Sequence, residues 1–494
     1  MLSAMTKRYG LSKSRITDFE QCPRKLWLSV HRPELRQEEG AEGRFATGHA
    51  VGDIACAAVP GGVMIDADPD LAAAVRRTTE LMAGDPMPMF EASFSHDGVL
   101  VRADVMEPDG AGGWHVAEVK ASNSPKPYHW RDLATHLWVM RAAGVRVSRA
   151  SIRHLDRDFR LEMEGDYRGL LTDTPAGDDV DAIAGQRPAV AAAARAVLAG
   201  SEPERLPGAH CADPFPCGFR TWCWRDLPPG PEWPIEDLPT TGATVAAEWA
   251  AKGVTELTAI PAGGLKKPLH ERIRAATVSG DIFHDAGQAR AMMADWDFPR
   301  TYLDFETVQH AIPRWVGTGP YGQTPFQFSA HVETADGAIE HRSFLSIDGS
   351  DPRPAIAAAL AELPGEGAVV AWNKGFEGRC LRELADAVPA HATALLSLAD
   401  RLVDLVPVAR ACWYHRDQRG SWSIKAVLPT IAPELAYDGL EVKDGGMAME
   451  VWHEAADPAT SPVRVQAIRV ALEAYCERDT WAMVVVLRRL AGEG

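Results

Sequence analysis

At 494 residues the chain is long enough for roughly three domains, and with 46% apolar and 24% charged residues it has an ordinary globular composition. A net charge of -17 argues against a protein that merely coats nucleic acid, because such a protein carries a basic surface. The start of the chain has no apolar core of signal-peptide length. The longest apolar stretch, Ala189 to Ala199, is broken by Arg195, so a cytoplasmic protein without a membrane span is expected.

The first segment is basic, with Lys7, Arg8, Lys13, Arg15, Arg24 and Lys25. It reads equally as a local patch for nucleic acid or as a solvated face. Phe90 to Phe94 and Val99 to Val105 alternate as a hairpin around Asp97-Gly98. Trp114 to Lys120 is the next expected strand, Trp130 to Ala143 an amphipathic helix, and Ala150 to Leu155 another strand. Proline density makes 226–240 a linker, and 241–295 reads as a helical spacer. Strands are expected at Tyr302 to Glu306, Phe326 to Val332 and Ser343 to Ile347. A helix (Ala355 to Leu363), a strand (Ala368 to Trp372), a helix (Glu377 to Ala385) and a long closing helix over 463–490 follow. Three strands and then alternating helix and strand predict an α/β unit with a mixed sheet.

Two constellations carry chemistry. In the first, Asp104 ends one strand, while Glu118 and Lys120 share a face of the next. Two carboxylates suit a hard cation, and the ammonium can orient water or stabilise phosphorane charge. The bland alternative is a cross-strand ion pair. Around this triad stand Cys22 and the later Cys211, Cys217 and Cys223, each later pair separated by five residues. In a cytoplasmic chain, grouped cysteines point to metal. Four thiolates hold zinc or an iron–sulfur cluster, and the one-plus-three arrangement without CxxC pairs favours a 4Fe-4S cluster. Cys56, Cys380, Cys412 and Cys476 sit singly and read as inert core thiols.

Leu11-Ser12-Lys13-Ser14-Arg15-Ile16 and Phe19-Glu20-Gln21-Cys22-Pro23-Arg24-Lys25 resemble the opening of iron–sulfur RecB-like nucleases of the PD-(D/E)XK superfamily. The resemblance covers 11–224. It implies Asp104 and Glu118 as metal ligands, Lys120 as the catalytic lysine, and Cys22, Cys211, Cys217 and Cys223 as cluster ligands. The chain departs from that pattern twice: Gly52 stands where a metal-ligating histidine is expected, and His136 where a glutamine is. His49 lies on another helical face, and Glu91 is the substitute ligand on offer.

The second constellation begins at Leu303-Asp304-Phe305-Glu306, which puts two acids on one face of an otherwise apolar strand. Such a pair is costly without a cation. Glu377 follows at a strand-to-helix junction, and Tyr475 and Asp479 lie one turn apart in the last helix. This ordered set resembles the DEDDy exonucleases, the DnaQ-like branch of the RNase H-like fold. The resemblance covers 299–491 and implies Asp304, Glu306 and Asp479 as ligands of two magnesium or manganese ions, with Tyr475 orienting the attacking water. Glu377 takes a place normally held by aspartate, and Asp404 is the other candidate acid. Ser423-Ile424-Lys425 is similar to the stretch that precedes the last helix in this branch.

The whole resembles an uncharacterised bacterial family joining the two regions. The expected division is a restriction-endonuclease-like domain over 1–225 with a cysteine staple, a linker and helical spacer over 226–298, and an RNase H-like mixed-sheet domain over 299–494. The resemblances imply a metal-dependent nuclease. It would be a 3′-5′ exonuclease on free or single-stranded DNA ends in repair or defence, with no membrane partner. Two alternatives stand: only the C-terminal site is active and the RecB-like part clamps DNA, or the chain is a non-catalytic iron–sulfur module.

Overall fold

The structure, a computed structural model, describes residues 10–37, 42–68 and 70–493, so Lys7 and Arg8 lie outside it. The protein is mixed α/β and divides into two compact units. One comprises the chain up to Pro228 together with His310–Gly322; the other comprises Pro229–Gln309 and Gln323 onward.

The first unit is built on a sheet of β1 (Leu11–Ser12), β2 (Val63–Met64), β3 (Met89–His96), β4 (Val99–Pro108), β5 (Trp114–Lys120), β6 (Val147–Leu155) and β7 (Leu171–Pro175). Strands β2 to β7 lie side by side in chain order, and β1 pairs with β4. The β3–β4 hairpin turns on Asp97 and Gly98, whose φ angles of 47° and 67° suit a two-residue turn that matches strand twist. Trp114 to Glu118 of β5 are buried, so only the end of this strand reaches solvent. β5 and β6 pair in parallel, which requires a crossover, and helix Pro127–Ala142 supplies it. Helix Asp178–Ala199 has no counterpart among the expected elements. Its run of alanines, interrupted by Pro188, gives a weak periodic signal. The segment His310–Gly322 is held within this unit by Tyr321, whose hydroxyl donates to the Ala121 carbonyl at 2.8 Å, and by the Leu161 amide donating to the Thr318 carbonyl at 3.0 Å.

The second unit opens with the proline-rich stretch, which is packed: Ile235 and Leu238 are buried. Short helices follow at Gly242–Ala250, Pro268–Ser279 and Ala286–Met292. A two-residue strand, β8 (Phe283–His284), comes before the main sheet of β9 (Arg300–Gln309), β10 (Gln323–Glu333), β11 (Ile339–Leu345), β12 (Val369–Ala371) and β13 (Leu402–Asp404). A further two-residue strand, β14 (Trp413–Tyr414), pairs with β8. The main sheet runs β11-β10-β9-β12-β13, antiparallel among the first three and parallel thereafter. On β9, Leu303 and Phe305 enter the apolar core with Phe328, Ile356, Val369 and Leu381. Burying each of these two contributes about 1.5–3 kcal/mol and fixes which face of the strand Asp304 and Glu306 occupy. Helix Pro462–Ala491 closes the unit, capped by the Ser461 hydroxyl at one end and by left-handed Gly492 at the other. Among the described residues, no helix is long and apolar enough to cross a membrane.

Candidate functional site

In the second unit, β9 presents Asp304 and Glu306 to one face, and one turn-pair of the closing helix presents Tyr475 and Asp479 to the same place. Ligand oxygens of Asp304, Glu306 and Asp479 all lie within 4.8 Å of one another. They floor a cleft of about 710 Å³, which Glu377, Lys425 and Tyr475 also line. Glu377 sits in the first turn of helix Lys374–Ala387, whose N-terminus is capped by the Asn373 side chain. A carboxylate suits that end of the helix dipole.

The acids are strained against each other. Burial pushes Asp304 well above the ordinary carboxylate range, and the charges of Asp479, Glu306 and Glu377 push it further. Glu306 is raised to about 8 by burial and then by Asp479. Burial likewise raises Glu377 to about 8 and Asp479 to about 6. Lys425 opposes these shifts at Asp304, Glu306 and Asp479, with Arg478 adding to it at Asp479, and the Lys425 ammonium donates to the Tyr475 hydroxyl at 3.0 Å. Burial and the nearby acids hold the Tyr475 phenol far above its usual value, so it stays a donor. Three crowded acids with one lysine leave excess negative charge, and hard divalent cations are the natural complement.

Asp404 does not line the cleft. Its side chain accepts the Val406 amide at 3.0 Å and caps the helix Leu405–Cys412. Two further residues stand at this site: Tyr437, absent from the sequence reading, and Cys476, expected there only as a core thiol. Tyr437 donates its hydroxyl to Asp479 Oδ1 at 2.5 Å. Cys476 is buried with its sulfur 4.0 Å from Asp304 Oδ2, so it packs directly behind the acids. No local pattern marks Tyr437, because its partner is 42 positions away.

In the first unit, Asp104, Glu118 and Lys120 also meet, but in a different electrostatic setting. Glu118 is 1% exposed and encircled by cationic and imidazole groups. Lys13 Nζ and Lys120 Nζ lie 2.5 and 2.9 Å from its Oε1, and His136 Nδ1 lies 2.8 Å from its Oε2. Burial alone would raise its pKa, yet Lys120, Lys13 and His136 hold it well below the usual range. Lys120 also reaches Asp132 at 2.9 Å, and Asp132 accepts the Thr17 hydroxyl at 3.1 Å. Asp104 accepts the Val119 amide at 2.7 Å and is raised to about 6 by burial and by Glu118. Glu91 pairs with Arg102 at 3.0 Å, and His49 is exposed. A Cβ built at Gly52 meets nothing within 4 Å, so glycine is not forced there by crowding. Three of the basic residues near the start are consumed by ion pairs: Lys13 with Glu118, Arg24 with Glu202 and Lys25 with Asp18.

Cys22, Cys211, Cys217 and Cys223 line one cavity, together with Arg24 and Lys25. All four are free thiols. Burial raises Cys217 and Cys223, so ionising them calls for a compensating cation. Among the described residues, the groups with three ligand atoms mutually within 4.8 Å are the carboxylates above and His331, His341 and Glu477; the four sulfurs stand wider. A closed tetrahedral zinc site, with zinc–sulfur bonds of about 2.3 Å, would draw them to roughly 3.8 Å. The donor set suits either zinc or an iron–sulfur cluster.

Residues 301–423 match a family described as a domain of unknown function, DUF2779. The match takes in Asp304, Glu306 and Glu377 and ends before the closing helix. The uncharacterized protein MG366 of Mycoplasma genitalium is 23% identical over 210 residues, 38% of this chain and 31% of that protein. The chain thus spans about a third of that relative's length, 31%. The crystal structure of SSO0001 aligns over 38% of this chain and 79% of that one, with 15% identity and a TM-score of 0.20, too low to carry an argument.

Proposed function

We propose that the protein is a metal-dependent phosphodiesterase of the exonuclease type, acting on nucleic-acid ends through the cleft of the second unit. The observation that carries this reading is the meeting of Asp304, Glu306 and Asp479 within 4.8 Å at the floor of that cleft. Bound magnesium or manganese would neutralise the phosphate, lower the pKa of the attacking water and stabilise the leaving oxygen. The protein's own part is to hold the acids in register. Leu303 and Phe305 lock β9 from behind, and Tyr437 fixes the rotamer of Asp479. Lys425 donates to the Tyr475 hydroxyl and that hydroxyl bonds Asp479, which fixes the phenol beside the acids, where it would orient a water. Trp372 and Phe376 in the lining offer apolar surface for a terminal base.

The first unit is then a structural or binding module. Its Glu118 is already neutralised by Lys13 and Lys120, which supports the clamp reading over a second catalytic site. The four thiols suit a 4Fe-4S staple, with zinc as the other candidate, and Arg24 and Lys25 offset the thiolate charge. Incubation of end-labelled single- and double-stranded DNA and RNA with magnesium or manganese tests the activity. Asp304→Asn should abolish cleavage while Lys120→Met retains it. Absence of cleavage by the wild-type chain on every substrate and metal would remove the enzyme reading.

A further inference from the structure

We infer that the second unit carries a separate site for a borderline divalent cation such as Zn²⁺, made by His331, His341 and Glu477. One ligand atom from each of the three lies within 4.8 Å of the others. The two histidines are directly opposed on β10 and β11, with rings stacked at 4.7 Å. Glu477 comes from the closing helix, its Oε1 3.9 Å from His341 Nδ1.

The surroundings orient both rings. His341 Nε2 lies 2.9 Å from the Ser329 hydroxyl, that hydroxyl lies 2.7 Å from the Thr480 hydroxyl, and Thr480 lies 2.9 Å from His331 Nδ1. Thr480 also donates to the Glu477 carbonyl at 3.1 Å. Every bond in this chain is satisfied at once when each imidazole donates inward and Ser329 donates to Thr480. One nitrogen of each ring then keeps a lone pair. Metal-binding histidines are held in this way by a hydrogen bond from the other ring nitrogen. Two imidazoles and one carboxylate select zinc or cobalt over magnesium, which prefers all-oxygen sites. His341 and Glu477 are partly exposed, at 30% and 52%, and have room to close on an ion. An ion there would tie the β10–β11 edge to the helical turn carrying Thr480 and, next to it, Asp479.

The test is zinc uptake by the full chain in excess magnesium, read by metal analysis and by thermal melting. Wild type should bind one more zinc per chain than His341→Ala or Glu477→Gln, and zinc should raise the melting temperature of wild type more than that of either variant. Ser329→Ala should weaken zinc binding about 10–100-fold. Melting of each variant without zinc establishes that it is folded. Equal zinc content and equal melting response in wild type, His341→Ala and Glu477→Gln would overturn the site. Metal content is read without substrate, so this result is independent of the nuclease proposal.

Discussion

Replacing Glu306 with glutamine should stabilise the metal-free protein. Glu306 is 6% exposed, and its pKa rises from 4.5 to about 8 through burial and the Asp479 charge. In the unfolded chain it ionises near the ordinary value, so between these two pKa values the folded state holds a proton that the unfolded state has lost. Stability therefore falls as pH rises through that window. At 1.36 kcal/mol per unit the full loss is about 5 kcal/mol, and about 3 kcal/mol of it is present at pH 7. Glutamine cannot ionise and removes this penalty. For a unit of this size, about 3 kcal/mol corresponds to a rise of roughly 6–12 °C in melting temperature. The assay is thermal melting of wild type and Glu306→Gln in chelator from pH 5 to pH 8, repeated with manganese. The gap between them should widen with pH and then narrow with manganese, which stabilises the wild-type acids by about 2.7 kcal/mol at a hundred times its dissociation constant. Parallel pH profiles with no manganese effect would refute the idea that these acids are charge-strained and await a cation.

In cleavage assays Asp304→Asn and Asp479→Asn should each lower the rate by at least roughly 10²–10³-fold, the scale of losing one electrostatic contributor to a transition state. The two candidate acids should separate: Glu377→Gln impairs cleavage, whereas Asp404→Ala costs about 0.5–2 kcal/mol of stability as a lost helix cap and leaves the rate within a few-fold. Lys120→Met breaks the ion-pair network with Glu118 and Asp132, and denaturant melts should show a loss of about 3–5 kcal/mol with cleavage retained. Cys217→Ser, purified anaerobically alongside wild type, should lose its iron, or one zinc per chain, by elemental analysis; an unchanged metal content would remove the thiol staple.

Strand and helix identity was largely legible because it rests on local periodicity. Alternation marked β3 and β4, and the Leu-Asp-Phe-Glu order on β9 already placed two acids opposite two core residues. Residue type also marked the acids, the lysine and the thiols as chemically unusual. What the order of residues could not supply is the electrostatic sum at each site, because that depends on partners far apart in the chain. Lys13 reaches Glu118 across 105 positions and turns a candidate catalytic acid into a neutralised one. Tyr437 and Asp479 meet across 42 positions, and Ser329 and Thr480 across 151. Asp404 and Glu377 are both acids near strand ends, yet one caps a helix and the other lines the cleft. Periodicity is set by backbone geometry within a few residues, so the sequence alone determined it. Charge balance is set by distance and burial in three dimensions, so only the tertiary structure decided which acids are crowded together and which are already neutralised.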